Sequence, residues 1–267
     1  MKALVLAAGM GERLRPLTEV TPKPMLELGG RPLIHYPLAM LRRGGVTEVA
    51  INVHHLASAV RRGLGDGSGL GLRITYAPEP VLLGTGGPLN GLREFLCGDN
   101  EKKIENENTF VIANSDTILD LDLRAMLAFH RDRAALATIA LFHPANLDYY
   151  SRLEIDAGQK LRRMRLLVRR DPLQYDDYPA ALAADVAGSL SPFMYCGVIV
   201  ADQAVFDLMP PGPPWSLMAG LFAPMVANGM PVFGYVHRGY FRTIDDLKSY
   251  AALKAEFVSS PPPGVLI

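Results

Sequence analysis

A chain of 267 residues with 49% hydrophobic and 20% charged residues holds enough apolar material for a full α/β core, and that composition argues against a disordered or disulfide-stapled protein. Twenty-seven basic residues balance 27 acidic ones, so no net positive field draws nucleic acid or an anionic membrane, and a small ligand is the expected partner. Cys97 and Cys196 sit among apolar neighbours without metal-ligand spacing and read as reduced core thiols.

In chain order, the apolar start Ala3–Ala8 breaks at Gly9, Gly11, Glu12 and Arg13, so it reads as a first buried strand over Ala3–Leu6 and not as a leader. Further strands are predicted at Val49–Val53, Ile74–Tyr76, Phe110–Ile112 and Ala137–Phe142, with helices at Leu33–Arg43, Leu56–Leu64, Pro88–Phe95 and Leu123–His130 between them. Pro37 falls inside the first of these helices, so that helix starts late or kinks. The βαβα order predicts a doubly wound, mostly parallel Rossmann-like sheet with ligands beyond the strand carboxyl ends. After Phe142 the pattern loosens into a small substrate-side subregion, with strands at Leu153–Ile155 and Met194–Val200 and an aperiodic connection over Asp171–Ser191. Helices follow at Leu217–Asn228 and Asp246–Phe257. The expected organisation is one domain over 1–258, in two halves (1–142 and 143–258), with a Pro-rich tail at 259–267. No stretch reaches the ~20 apolar residues of a membrane helix, and Asp99–Asn108 reads as a solvated connector.

The richest stretch is Leu6-Ala7-Ala8-Gly9-Met10-Gly11-Glu12-Arg13-Leu14-Arg15-Pro16-Leu17-Thr18, continuing to Pro22-Lys23-Pro24, directly after the first strand. Gly9 and Gly11 let the backbone approach phosphates, Arg13 supplies a planar charged fork for pyrophosphate oxygens, and Lys23 is a point charge held between prolines. Leu14 stands where a dinucleotide fingerprint needs its third glycine, and the Gly-Lys-Ser/Thr of a P-loop is absent. Asn114-Ser115-Asp116 ends an apolar strand, which puts a carboxylate where the sheet's ligands lie and where one or two acids suffice for Mg²⁺. Glu79 is able to accept from guanine or uracil ring nitrogens. His54-His55 lacks a third metal ligand, and Trp215, Phe193 and Tyr195 read as core.

The opening stretch resembles the signature of the sugar-phosphate nucleotidylyltransferases, L-A-A-G-x-G-x-R-L-x-P-L-T followed by P-K-P, and the likeness continues through Leu64–Ser68, Tyr76–Glu79 and Leu83–Gly87. Within that family the chain is most similar to the short N-acetylmuramate-1-phosphate uridylyltransferase and mannose-1-phosphate guanylyltransferase group. The resemblance implies Leu6, Ala8, Gly9, Gly11, Glu12 and Arg13 around the NTP, Glu79, Gly84 and Thr85 at the nucleoside, and Gly86, Glu154 and Arg169 at the sugar phosphate. It makes Arg13, Lys23 and Asp116 catalytic and Asp116 a metal ligand. Where many relatives carry W-x-D-I-G-T-P, this chain has Phe241-Arg242-Thr243-Ile244-Asp245, so Thr243 takes the usual acid position and Asp245 becomes the second candidate ligand. Asp246 reads as a helix N-terminal turn, Ser151 replaces the glycine of a Y-G segment, and Val168-Arg169-Arg170 replaces E-K-P.

The implied reaction is NTP plus sugar 1-phosphate to NDP-sugar plus pyrophosphate, with Mg²⁺ as cofactor and UTP, GTP or dTTP as donor. A cytoplasmic monomer or homodimer is expected. Two rival readings stay open: a catalytically silent nucleotide-sugar sensor, motivated by Thr243 and the altered E-K-P, and a metal-dependent glycosyltransferase using Asp120-Leu121-Asp122.

Overall fold

In the computed structural model, the described residues are 1–98, 108–168, 174–178, 189–259, 262 and 264–265. Strands and helices follow in chain order as β1 (Lys2–Leu6), α1 (Leu17–Val20), β2 (Glu27–Leu28), β3 (Arg31–Pro32), α2 (His35–Arg43), β4 (Glu48–Val53), α3 (Ala57–Leu64) and β5 (Arg73–Pro78). Next come α4 (Pro88–Cys97), β6 (Thr109–Asn114), β7 (Thr117–Leu119), α5 (Leu123–Asp132), β8 (Ala137–Phe142), β9 (Arg152–Ile155), β10 (Leu161–Val168) and β11 (Gln174–Tyr178). The last are β12 (Ser191–Asp202), α6 (Ala223–Ala227), β13 (Val232–Val236), β14 (Phe241–Thr243) and α7 (Leu247–Ser259).

Two compact units result. The first comprises Met1–Leu82, Glu94–Arg124 and Gly239–Ile267. Its strands are parallel, as the βαβα pattern predicts, and lie in the order β6-β1-β4-β5. Strands β1, β4 and β6 are short apolar runs of almost wholly buried side chains, the signature of parallel strands covered on both faces. Register carries Leu6 level with Asn52 on one side and Asn114 on the other, so three chains leave the sheet at one level. A satellite core of Leu14, Leu26, Leu33, Ile118, Ile244 and Phe257 ties the opening motif to β7, β14 and α7. Pro37 lies in the first turn of α2, where its missing N–H costs no helical bond, so the helix starts late and does not kink.

The second unit comprises Leu83–Arg93 and Ala125–Arg238. Here β9, β10 and β11 form an antiparallel meander, β12 pairs first with β9 and then with β8, and β13 runs parallel to β8. Strand β11 corrects the aperiodic reading of 171–191: Gln-Tyr-Asp-Asp-Tyr carries little strand propensity, and its pairing with β10 supplies what composition does not. The predicted helix over 217–228 is a π-helical turn at Leu217–Phe222 followed by α6, with Pro224 at the helix start. Cys196 is fully buried, whereas Cys97 is only partly so, and neither is in a disulfide. The connector read at Asp99–Asn108 falls, except for its last residue, outside the described residues, as does the Pro-rich tail in part.

Candidate active site

Within the first unit, adjacent parallel strands deliver the candidate residues from their carboxyl ends, the position where open α/β sheets bind ligands. The chain leaves β1 into Ala7, Ala8 and Gly9, leaves β4 into His54, leaves β5 into Glu79, and leaves β6 into Ser115 and Asp116. Two backbone bonds lock these exits together: Ser115 N–H donates to the Leu6 carbonyl (3.2 Å) and Glu79 N–H to that of Val53 (2.9 Å).

The glycine turn is held from its far side. Gly11 sits in the left-handed region (φ 64°), and a Cβ there would come within 2.8 Å of Thr18 Cγ2 and 3.3 Å of Lys23 Cβ. Thr18, buried, donates its hydroxyl to the Gly11 carbonyl (2.9 Å), while His55 Nε2 donates to the Thr18 carbonyl (2.6 Å). Gly9 differs: a Cβ there would meet no protein atom within 4 Å, so neither packing nor backbone strain explains a glycine, and the space it leaves is open to a ligand. Glu12 is exposed beside it, and Ala8 is buried.

The two cations converge on the two candidate metal ligands. Lys23 Nζ donates to Asp116 Oδ2 in a largely sheltered pair, the side chains being 15% and 23% exposed. Arg13 Nη2 donates to Asp245 Oδ1 at 3.0 Å in a more open one. Antiparallel pairing of β14 with β7 sets Thr243 opposite Thr117, so Asp116 and Asp245 both lie at the same end of this ribbon, just outside it. Thr243 is spent in the ribbon, and Asp245 is the C-terminal acid that faces Arg13. Asp246 caps α7: its Oδ1 accepts from Ser249 N–H (2.8 Å), and Ser249 Oγ accepts in return from Asp246 N–H (2.9 Å) and Asp245 N–H (3.0 Å). Ser249 N–H and then its hydroxyl hold the Asp246 carboxyl below the usual range.

Glu79 is buried and accepts from Asn52 Nδ2 (2.7 Å), and Asn52 Oδ1 accepts from Ala7 N–H (2.8 Å). Asn52 therefore fixes both the entry to the glycine turn and the Glu79 carboxyl. It is the one polar side chain within the run Val49–Val53 of β4, and a buried amide in such a run has to be hydrogen-bonded to something specific. His54 Nδ1 donates to the Glu79 carbonyl (2.7 Å), so the two adjacent histidines serve different backbone carbonyls. Among the described residues no cluster of three or more His, Cys, Asp or Glu is placed to hold a metal.

The remaining sequence candidates lie in the second unit. Thr85 Oγ1 accepts from Leu217 N–H (2.9 Å), and Gly86 N–H donates to the Trp215 carbonyl (3.0 Å). Gly84 adopts φ 76°, with the Trp215 carbonyl where a Cβ would sit. Glu154, buried on β9, accepts from Arg163 Nε (2.7 Å). A cavity of about 200 Å³ lined by Tyr149, Tyr150, Ser151, Leu153, Met194 and Tyr195, among others, opens beside this strand, and Ser151 Oγ accepts from Leu167 N–H (2.9 Å), a bond a glycine would not make. Arg169 and Arg170 lie outside the described residues.

The chain is 30% identical over 244 residues to a UTP–glucose-1-phosphate uridylyltransferase of Synechocystis, covering 87% of this chain and 57% of the relative. It is 42% identical over 126 residues to an N-acetylmuramate alpha-1-phosphate uridylyltransferase of Neisseria meningitidis, covering 47% of this chain and 51% of the relative. It thus spans little more than half the length of these two curated relatives. A Bacillus anthracis protein crystallised in complex with sucrose shares the fold, with a TM-score of 0.73 at 19% identity over 96% of this chain and 94% of that one. The sequence model of the nucleotidyl transferase family matches residues 2–165, more than half of the chain, which therefore belongs to that family.

Proposed function

We propose that the chain is a sugar-1-phosphate nucleotidyltransferase that converts an NTP and a sugar 1-phosphate to an NDP-sugar and pyrophosphate, with a uridylyl or guanylyl donor and a hexose or N-acetylmuramate 1-phosphate acceptor. The observation that carries this reading is the pairing of Arg13 with Asp245 and of Lys23 with Asp116 beside an open glycine turn at the strand ends. Two phosphate-binding cations and two carboxylates, each neutralising the other, are what a polyphosphate and its counter-cation would exchange into. Two carboxylates suit Mg²⁺, which takes one or two acids and completes its octahedron with phosphate oxygens and water. Asp116 and Asp245 would hold it, and when bound it offsets the charge of the phosphates.

The sugar phosphate oxygen attacks the α-phosphorus in line. A phosphate monoester's second pKa is about 6, so the nucleophile is ionised without a general base. Arg13 engages the pyrophosphate oxygens by its two-pronged guanidinium, and Lys23 places a point charge at the transferring group. Ala7, Ala8 and Gly9 bring backbone to the phosphates, and Glu79, held by Asn52, reads the base edge. The resemblance assigns Leu6, Gly11 and Glu12 to the nucleotide, Gly84 and Thr85 to the nucleoside, and Gly86, Glu154 and Arg169 to the sugar phosphate, and these roles belong to the same proposal. NTP and Mg²⁺ point to the cytoplasm as the place of reaction, as a monomer or homodimer.

A matrix of UTP, GTP, dTTP, CTP and ATP against sugar 1-phosphates, read by pyrophosphate release and by product mass, tests it. The expected result is one donor, UTP first, giving an NDP-sugar. No pyrophosphate release in the matrix, with NDP or NMP released from a separately supplied nucleotide sugar, would establish the glycosyltransferase reading, and nucleotide-sugar binding without any turnover the sensor.

A further inference from the structure

The quartet Gly84-Thr85-Gly86-Gly87 is built around one residue that the sequence pattern passes over. Trp215 N–H donates to the Leu83 carbonyl (3.1 Å) and the Trp215 carbonyl accepts from Gly86 N–H (3.0 Å), so its backbone is held at both its N–H and its carbonyl by the turn. A Cβ on Gly86 would fall 2.1 Å from the indole carbons Cε3 and Cζ3, and one on Gly84 would fall 2.4 Å from the Trp215 carbonyl oxygen. The indole Nε1–H donates to Asn90 Oδ1 (2.9 Å) on α4, and Leu217 N–H, two residues on, donates to Thr85 Oγ1 (2.9 Å). Four hydrogen bonds and two steric requirements thus tie the 83–90 segment to residues 215–217. A Gly-rich turn alone samples many backbone conformations, and this arrangement removes that freedom.

We infer that Trp215 is a positioning residue for this loop: it holds Thr85 and the flanking backbone in the conformation that contacts the nucleotide. The inference rests on the assignment of Gly84 and Thr85 to the nucleoside. Trp215 acts through the loop and not on the reacting phosphates, so its loss weakens binding in ground state and transition state alike, and the effect falls on KM. Because Trp215 is the single tryptophan of the chain, its emission reports the loop directly in the unmodified protein.

The test has two arms. Emission of the wild-type chain is titrated with UTP, GTP and dTTP in turn, and a saturable change with the nucleotide that supports turnover is expected. In the second arm, Trp215→Ala raises KM for that nucleotide about tenfold or more while kcat stays within about threefold, and Trp215→Phe, which keeps an aromatic face over Gly86, recovers most of the loss. A wild-type KM in Trp215→Ala overturns the inference. So does emission indifferent to a nucleotide that the chain demonstrably turns over, and this reading stands whether or not the alanine variant folds. An emission response without turnover across the substrate matrix supports the loop assignment and removes the transferase reading.

Discussion

Gly9 and Gly11 look alike in the sequence, and at the residue scale they have different reasons to be glycine. Gly11 is required by the protein itself, through its left-handed φ and the closeness of Thr18 and Lys23. Gly9 has no such demand, so Gly9→Ala is expected to fold with unchanged or slightly raised stability, up to about 1 kcal/mol, because alanine restricts the unfolded chain. The same variant is expected to raise KM for the NTP severalfold, since the methyl group would enter the open space that the proposed function assigns to phosphate. Urea unfolding together with NTP kinetics checks both halves, and wild-type kinetics would show that the open space serves no ligand. Arg13, Lys23 and Asp116 stand out as candidates from residue identity alone, because a charge beside a glycine turn or at a strand end has few structural uses, and the structure pairs two of them, Lys23 with Asp116. Asn52 and Trp215 were not legible in the same way: the work of each is done by contacts with segments tens of residues distant, 27 positions away for Asn52 with Glu79 and 125 for Trp215 with Asn90.

At the scale of elements, strand and helix positions followed from hydrophobic period, and the first parallel strands were readable to within a few residues. The short ribbon of β7 with β14 was not, since three-residue strands carry no periodicity, yet it brings the C-terminal acid to the opening motif. Helix α7 completes that placement. Its Asp246–Ser249 cap also binds the Asp245 N–H, so the cap orients a candidate metal ligand as well as ending a helix. Asp246→Ala is expected to cost about 1 kcal/mol by urea unfolding at neutral pH. Because the folded pKa of Asp246 is depressed, its contribution is present above the unfolded carboxylate pKa and fades as pH falls through the folded one. The difference between wild type and variant should therefore close in strong acid, and a difference that persists there would contradict the cap.

For the molecule as a whole, acid stability should be governed in part by a residue outside the candidate site. His130 on α5 is buried against Thr138 on β8, its Nδ1 lying 2.9 Å from the threonine hydroxyl, and burial lowers its pKa from 6.5 to about 4. Between those values the unfolded chain binds a proton that the folded one refuses, so stability rises with pH across the window and is lost on acidification, by roughly 3 kcal/mol in all. His130→Gln, which keeps a polar partner for Thr138, should flatten the urea midpoint between pH 4 and 6.5, and an unchanged slope would exclude His130 as the source.

The same whole-molecule view separates what stabilises the fold from what performs the reaction. An open ion pair such as Arg13–Asp245 contributes at most about 1 kcal/mol, so Arg13 is dispensable for folding and indispensable only if phosphates bind beside it. The decisive measurement is pyrophosphate release by Arg13→Ala, under the donor and sugar phosphate the wild type prefers, alongside its urea midpoint. A fall in turnover of about 10³-fold or more with the midpoint unmoved is the predicted result. Near-wild-type turnover would contradict a triphosphate cradle at the strand ends.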